Sequence, residues 1–96
     1  MAYKVIISRN AEIEIEVAYD YYGKFSKQAM KSFRSQLHEC YKRLKENPFF
    51  EVRYLTVRGL PFKKYPYIML FRINENTKTV FVLSVFCTHQ NPEKYP

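Results

Sequence analysis

The run from Val57 to Phe71, Val-Arg-Gly-Leu-Pro-Phe-Lys-Lys-Tyr-Pro-Tyr-Ile-Met-Leu-Phe, constrains the fold more than any other stretch. It reads as the end of one strand, a turn at Gly59-Leu60-Pro61, and a second strand apolar on both faces. Side chains alternate along a strand, so Ile68 and Leu70 share one face and Tyr67, Met69 and Phe71 the other. Arg58, Lys63 and Lys64 place three cations at the turn and strand entry. A two-sided apolar strand needs cover on both faces. One helical layer supplies cover for one, so the other is expected to be a partner-binding face.

The elements around this strand follow from periodicity. Tyr3 to Ile7 reads as a first strand, and Ser8 or Asn10 can cap the next segment. Residues 12–17, Glu-Ile-Glu-Ile-Glu-Val, alternate like a strand. Yet Ala11, Ile15, Ala18, Tyr19 and Tyr22 fall on one helical face, and four acids suit the positive end of a helix. The expectation is a helix from Ser8 or Asn10 to Tyr22, with Gly23 just past its end. A second helix begins at Ser26, with Phe25 and Met30 as a hydrophobic staple. Its stripe is Met30, Phe33, Leu37, Cys40, Tyr41 and Leu44, and it stops at Asn47-Pro48. With Gly23 to Phe25 as linker, the helices are expected to form an antiparallel hairpin.

After Pro48 the chain reads as sheet. Strands are expected over Val52–Arg58, Phe62–Ile73 and Thr79–Cys87, with Pro66 marking a bulge or exposed edge and residues 74–78 a hairpin turn. In the last strand Val80, Val82, Ser84 and Phe86 should face one way, and Phe81, Leu83, Val85 and Cys87 the other. The fold class is therefore α+β: an N-terminal strand, an antiparallel helical hairpin, then a three-stranded antiparallel meander (β-α-α-β-β-β). The first strand adds at an edge, and residues 1–96 form one domain.

Composition narrows the function classes. Hydrophobic residues make up 47% of the chain and aromatics 18%, all Tyr and Phe, which argues for a packed core. No apolar run approaches the roughly 20 residues that span a bilayer, and the N-terminus does not read as a signal peptide, so a cytoplasmic protein is expected. Cys40 and Cys87 read as buried thiols. No Cys-x-x-Cys or His-x-x-x-His pattern is present, so no metal or cofactor is expected. Net charge is +7, unevenly placed. Residues 23–72 carry twelve cations against three acids, a local balance of +9. Such a field favours an anionic partner, nucleic acid, ribosome or acidic protein. The helix cations taken alone read as a solvated face. His38 reads as a surface residue of the second helix.

The order and spacing of these pieces resemble the RelE/ParE superfamily of bacterial toxins from type II toxin–antitoxin, or plasmid stabilisation, modules. The pieces are Tyr21-Tyr22 at the first helix end, Asn47-Pro48, Lys64-Tyr65-Pro66-Tyr67 entering the long strand, and the terminal Asn91-Pro92-Glu93. The resemblance covers nearly the whole chain. It implies a growth-inhibiting α/β toxin neutralised by a cognate acidic antitoxin, with Tyr65, Ile68, Leu70, Arg72 and Tyr95 as residues meeting antitoxin or target.

The family divides on mechanism. RelE-like members cleave messenger RNA on the ribosome without a metal; ParE-like members inhibit DNA gyrase. Cleavage through a 2′-hydroxyl needs an acid, a base and cations for the phosphorane charge. On that reading Arg58, Lys63, Lys64 and His89 form the catalytic set. Ribonuclease members place an arginine after the aromatic that begins the long strand, where this chain has Ile68. Their histidine and arginine after the last strand appear here as Cys87 and Gln90. These departures favour a ParE-like inhibitor acting through protein contacts. The alternatives are a ribosome-dependent endonuclease and a non-toxic binding module with decayed active groups.

Overall fold

A computed structural model describes residues 2–88. Its elements are β1 (Lys4–Ile7), α1 (Arg9–Phe25), α2 (Lys27–Glu46), β2 (Val52–Tyr54), β3 (Val57–Pro61), β4 (Tyr67–Asn74) and β5 (Thr79–Cys87). The expected fold class is present, with two differences in the sheet. There are five strands, in the order β1-β5-β4-β3-β2, and β1 joins β5 in parallel while every other pair is antiparallel.

Capping decides the helix boundaries. The Ser8 hydroxyl oxygen accepts a hydrogen bond from the Ala11 N–H at 3.1 Å and starts α1. Gly23 lies inside α1, and the helix runs past the expected stop at Tyr22 as far as Phe25. Ser26 both ends α1 and starts α2. Its N–H donates to the Tyr22 carbonyl, and its hydroxyl accepts from the Ala29 N–H at 2.9 Å. A one-residue link leaves no room except for a tight hairpin. Tyr22 and Tyr19 of α1 both pack on Phe33 of α2, and further from Ser26 the Glu12 carboxylate is near enough to Tyr41 to act on its phenol. The helices are therefore antiparallel. Phe25 is 69% exposed, with its ring edge-on to Tyr21 at 5.2 Å.

The expected single strand over Val52–Arg58 is instead a hairpin. It turns at Leu55-Thr56, with Leu55 in the left-handed region at φ 48°. Neither residue is Gly, Asn or Pro, so the sequence carries no turn signal there. Conversely, Gly59-Leu60-Pro61 is strand, paired with Leu70, Met69 and Ile68, and the reversal falls in residues 62–66. Pro66 precedes β4, so it interrupts no ladder. The 74–78 turn is as expected: the Asn74 side-chain oxygen accepts from the N–H groups of Asn76 and Thr77.

Strand β5 does not keep one alternation. Leu70 pairs with Ser84, but Phe71 pairs with Val82. Leu83 is an extra residue, a bulge that reverses the phase of the strand. Val80 and Val82 before it and Val85 after it all join the cluster beneath the helices. This corrects the two-set assignment above and explains why both sets are apolar.

The main core joins α1, α2 and one sheet face through Ile15, Phe33, Leu37, Leu44, Met69, Phe71 and Val82. A smaller cluster of Val57, Ile68, Leu70 and Phe86, with Tyr54 and Leu83 beside it, forms on the other face. Ile68 and Leu70 are 3% and 0% exposed. The expectation of an uncovered apolar face at these residues is therefore wrong. The sheet closes over them with its own β2–β3 hairpin, and the Arg53 stem reaches over Gly59.

Candidate partner-binding surface

The exposed apolar surface lies on α1. Ile13, Val17, Tyr21 and Phe25 recur every four residues and are 47%, 63%, 52% and 69% exposed. They form a second stripe beside the buried Ala11, Ile15 and Ala18. Two apolar stripes on one helix also explain why residues 12–17 imitate a strand. The four-residue spacing of this second stripe is visible in the sequence, but the strand-like alternation over residues 12–17 masks it.

A groove runs between this stripe and the far end of β5. Its upper part, about 390 Å³, is lined by Val17, Tyr21, Tyr22, Phe25, Pro66, Tyr67 and Cys87. A smaller continuation of about 150 Å³ reaches Ile13, Glu14 and Val85. The groove exists because β1 stops at Ile7, opposite Val82, and leaves the rest of the β5 edge without a strand neighbour. Thr88 is held at the groove's end, its N–H donating to the Pro66 carbonyl at 2.7 Å.

Two groove-lining rings, Tyr22 and Tyr67, are packed into the core behind the groove. Tyr22, Phe33, Phe62, Tyr65 and Tyr67 form one aromatic cluster, with Tyr22–Tyr65 at 4.9 Å and Phe33–Phe62 at 5.6 Å. Burial pushes the Tyr67 phenol up to about 12, helped by the neighbouring Tyr22 and Cys87. Tyr22 is raised for the same first reason. Tyr65 is half-buried in this cluster, so it holds the 62–66 loop to the helical hairpin.

Among the described residues, Arg58 is not brought together with Lys63 and Lys64. Arg58 is half-buried, its guanidinium donates to the Phe50 carbonyl at 2.8 Å, and it lies over the Phe49 ring at 5.4 Å. It is the second residue of β3, whereas Lys63 and Lys64 lie beyond the opposite end at Pro61, about 10 Å further along the strand. Lys63 and Lys64 are exposed. Arg72 is exposed and paired with Phe81; it follows Phe71, the strand partner of Arg58, and so projects from the opposite face of the sheet. His89 and Tyr95 lie outside the described residues.

A family model described as the ParE toxin of the type II toxin–antitoxin system, parDE, matches residues 5–92. The chain belongs to the ParE toxin family. Among solved structures it is similar to a chain of the chromosomal ParDE toxin–antitoxin system from P. aeruginosa. That match has a TM-score of 0.72 and 21% identity, and covers 88% of this chain and 94% of the other. It is also similar to a chain of the RelBE2 toxin–antitoxin complex from Mycobacterium tuberculosis, with a TM-score of 0.58 and 16% identity. Here coverage is 88% and 96%. No curated protein sequence matches. No helix of the described residues is long and apolar enough to cross a membrane.

Proposed function

We propose that this toxin blocks its target through protein contacts, with DNA gyrase as that target, and that its antitoxin seats an amphipathic segment in the α1–β5 groove. The observation that carries the first part is the placement of Arg58. A cation tied to a backbone carbonyl at one end of β3 is poorly placed to share a phosphorane with lysines beyond the other end. The second part rests on the stripe from Ile13 to Phe25, whose side chains are about half to two-thirds exposed beside a preformed groove.

A supercoiling assay tests the target. Purified toxin is expected to inhibit gyrase, and its antitoxin to restore supercoiling. Normal supercoiling at a large toxin excess, with growth arrest and cleaved transcripts in cells, would favour the endonuclease reading instead. Val17→Asp tests the groove. It is expected to weaken antitoxin binding at least tenfold while circular dichroism stays unchanged; unaltered binding would remove the groove as the seat.

A further inference from the structure

Helix α2 carries a second, separate surface. Lys27, Lys31, Arg34, His38, Lys42 and Lys45 follow one another at spacings of 4, 3, 4, 4 and 3 residues. At about 100° per residue they occupy an arc of roughly 80°, and they extend for about 27 Å along the helix. All six are exposed. The arc lies away from the side that buries Phe33, Leu37, Cys40 and Leu44. Glu39 and Glu46, the acids of α2, fall outside it. Among the described residues no carboxylate pairs with any of its five cations. Lys31, Arg34, Ser35 and His38 line a shallow depression in the middle of the row.

We propose that this row docks on the sugar–phosphate backbone of duplex DNA. A solvated face kept for solubility needs no alignment, and acids normally intersperse with its cations. Here five full charges share one edge with no acid among them. An acidic protein partner would look for apolar or aromatic anchors at the centre of its interface. The row has none. Binding of a single strand would call for exposed aromatic platforms. The nearest rings, Tyr19 and Tyr41, are half-buried in the hairpin. What remains is a straight, water-accessible line of positive charge, able to meet phosphates along one side of a duplex and indifferent to base sequence. The surface is distinct from the α1–β5 groove, so antitoxin binding and DNA binding are separable.

Fluorescence anisotropy with a short labelled DNA duplex, titrated with the full chain across a range of salt concentrations, tests this. The affinity should fall with salt by a logarithmic slope of about −0.9 for each phosphate contacted. Lys27→Gln/Lys31→Gln/Arg34→Gln should make that slope shallower by about 2 to 3 units. The comparison is Lys4→Gln/Arg9→Gln/Lys78→Gln, which removes the same charge elsewhere on the exposed surface. It should change the slope by less than half as much. Equal effects of the two triple variants would overturn the proposal, because net charge alone would then explain binding. Tighter binding of a polyglutamate peptide or of single-stranded DNA than of the duplex would also overturn it. Neither outcome bears on gyrase inhibition or on antitoxin capture by the α1 groove.

Discussion

Glu14 and Ser84, 70 positions apart, share a hydrogen bond of 2.8 Å at the point where β5 loses its strand neighbour. The same carboxylate oxygen accepts from the Val85 N–H at 3.3 Å. Just above, the Ser8 hydroxyl and the Asn10 side-chain amide both donate to the Leu83 carbonyl. Side chains of α1 thus continue the ladder that β1 began, and satisfy a bulged strand edge with no backbone partner there.

Glu14→Ala should therefore destabilise the fold by about 1–3 kcal/mol, because a buried hydroxyl and a strand amide lose their acceptor. Glu14→Gln keeps an acceptor oxygen and should cost less than half of that. Urea denaturation of the two variants checks both the loss and its order.

The two glycines should respond oppositely to alanine. A Cβ at Gly59 would lie 2.7 Å from the Ile68 Cδ1 and 2.8 Å from the Arg53 Cγ, inside the second cluster. Gly59→Ala should cost about 1–3 kcal/mol through overpacking. At Gly23, within α1, the nearest atom is the Met30 sulfur at 3.6 Å, an ordinary contact. Gly23→Ala should stabilise by about 0.5–1 kcal/mol, since helical glycine carries an entropic cost. Thermal melts of both variants decide it.

Arg58→Ala should weaken the fold rather than an active site. Losing a charge-assisted bond to the Phe50 carbonyl and the stacking on Phe49 should cost about 1.5–3 kcal/mol. Gyrase inhibition per folded molecule should stay within twofold of the parent. A large fall in inhibition with unchanged stability would place Arg58 at the target instead.

Alkaline pH should unfold the protein through its tyrosines. Burial raises the Tyr41 and Tyr67 phenols from 10.0 to about 12 in the folded state. The folded state then holds its protons over a range where the unfolded chain has released them. Stability is complete below pH 10.0 and declines as pH climbs toward about 12. Tyr41→Phe should flatten that decline, as read from the pH dependence of the urea midpoint.

Local signals settled much of this chain in advance. Ser8 and Ser26 start the helices because a hydroxyl oxygen caps exposed N–H groups wherever it occurs, and Asn47 ends α2 because the residue before a proline disfavours helix. The Phe33–Leu37–Cys40–Leu44 stripe and the Asn74 turn are likewise read from spacing, since 3.6-residue periodicity and side-chain capping are local. Gly23 misled, because a glycine marks a helix end only when the next residues cannot continue the helix, and Ser26 caps better.

Other features belong to the tertiary structure. The turn at Leu55-Thr56 has no turn residue and forms because Val52 and Tyr54 pair with Arg58 and Val57. Leu83 becomes a bulge only where β5 pairs with β4, and that choice reverses which valine faces the helices. Ile68 and Leu70 looked like a binding face in the sequence but are closed over by β2, β3 and Phe86. Ile13 and Val17 looked like half of a strand but are exposed on a helix. Hydrophobic spacing states that a residue seeks cover; which neighbour provides it, or leaves it to a partner, depends on contacts between segments far apart in the chain.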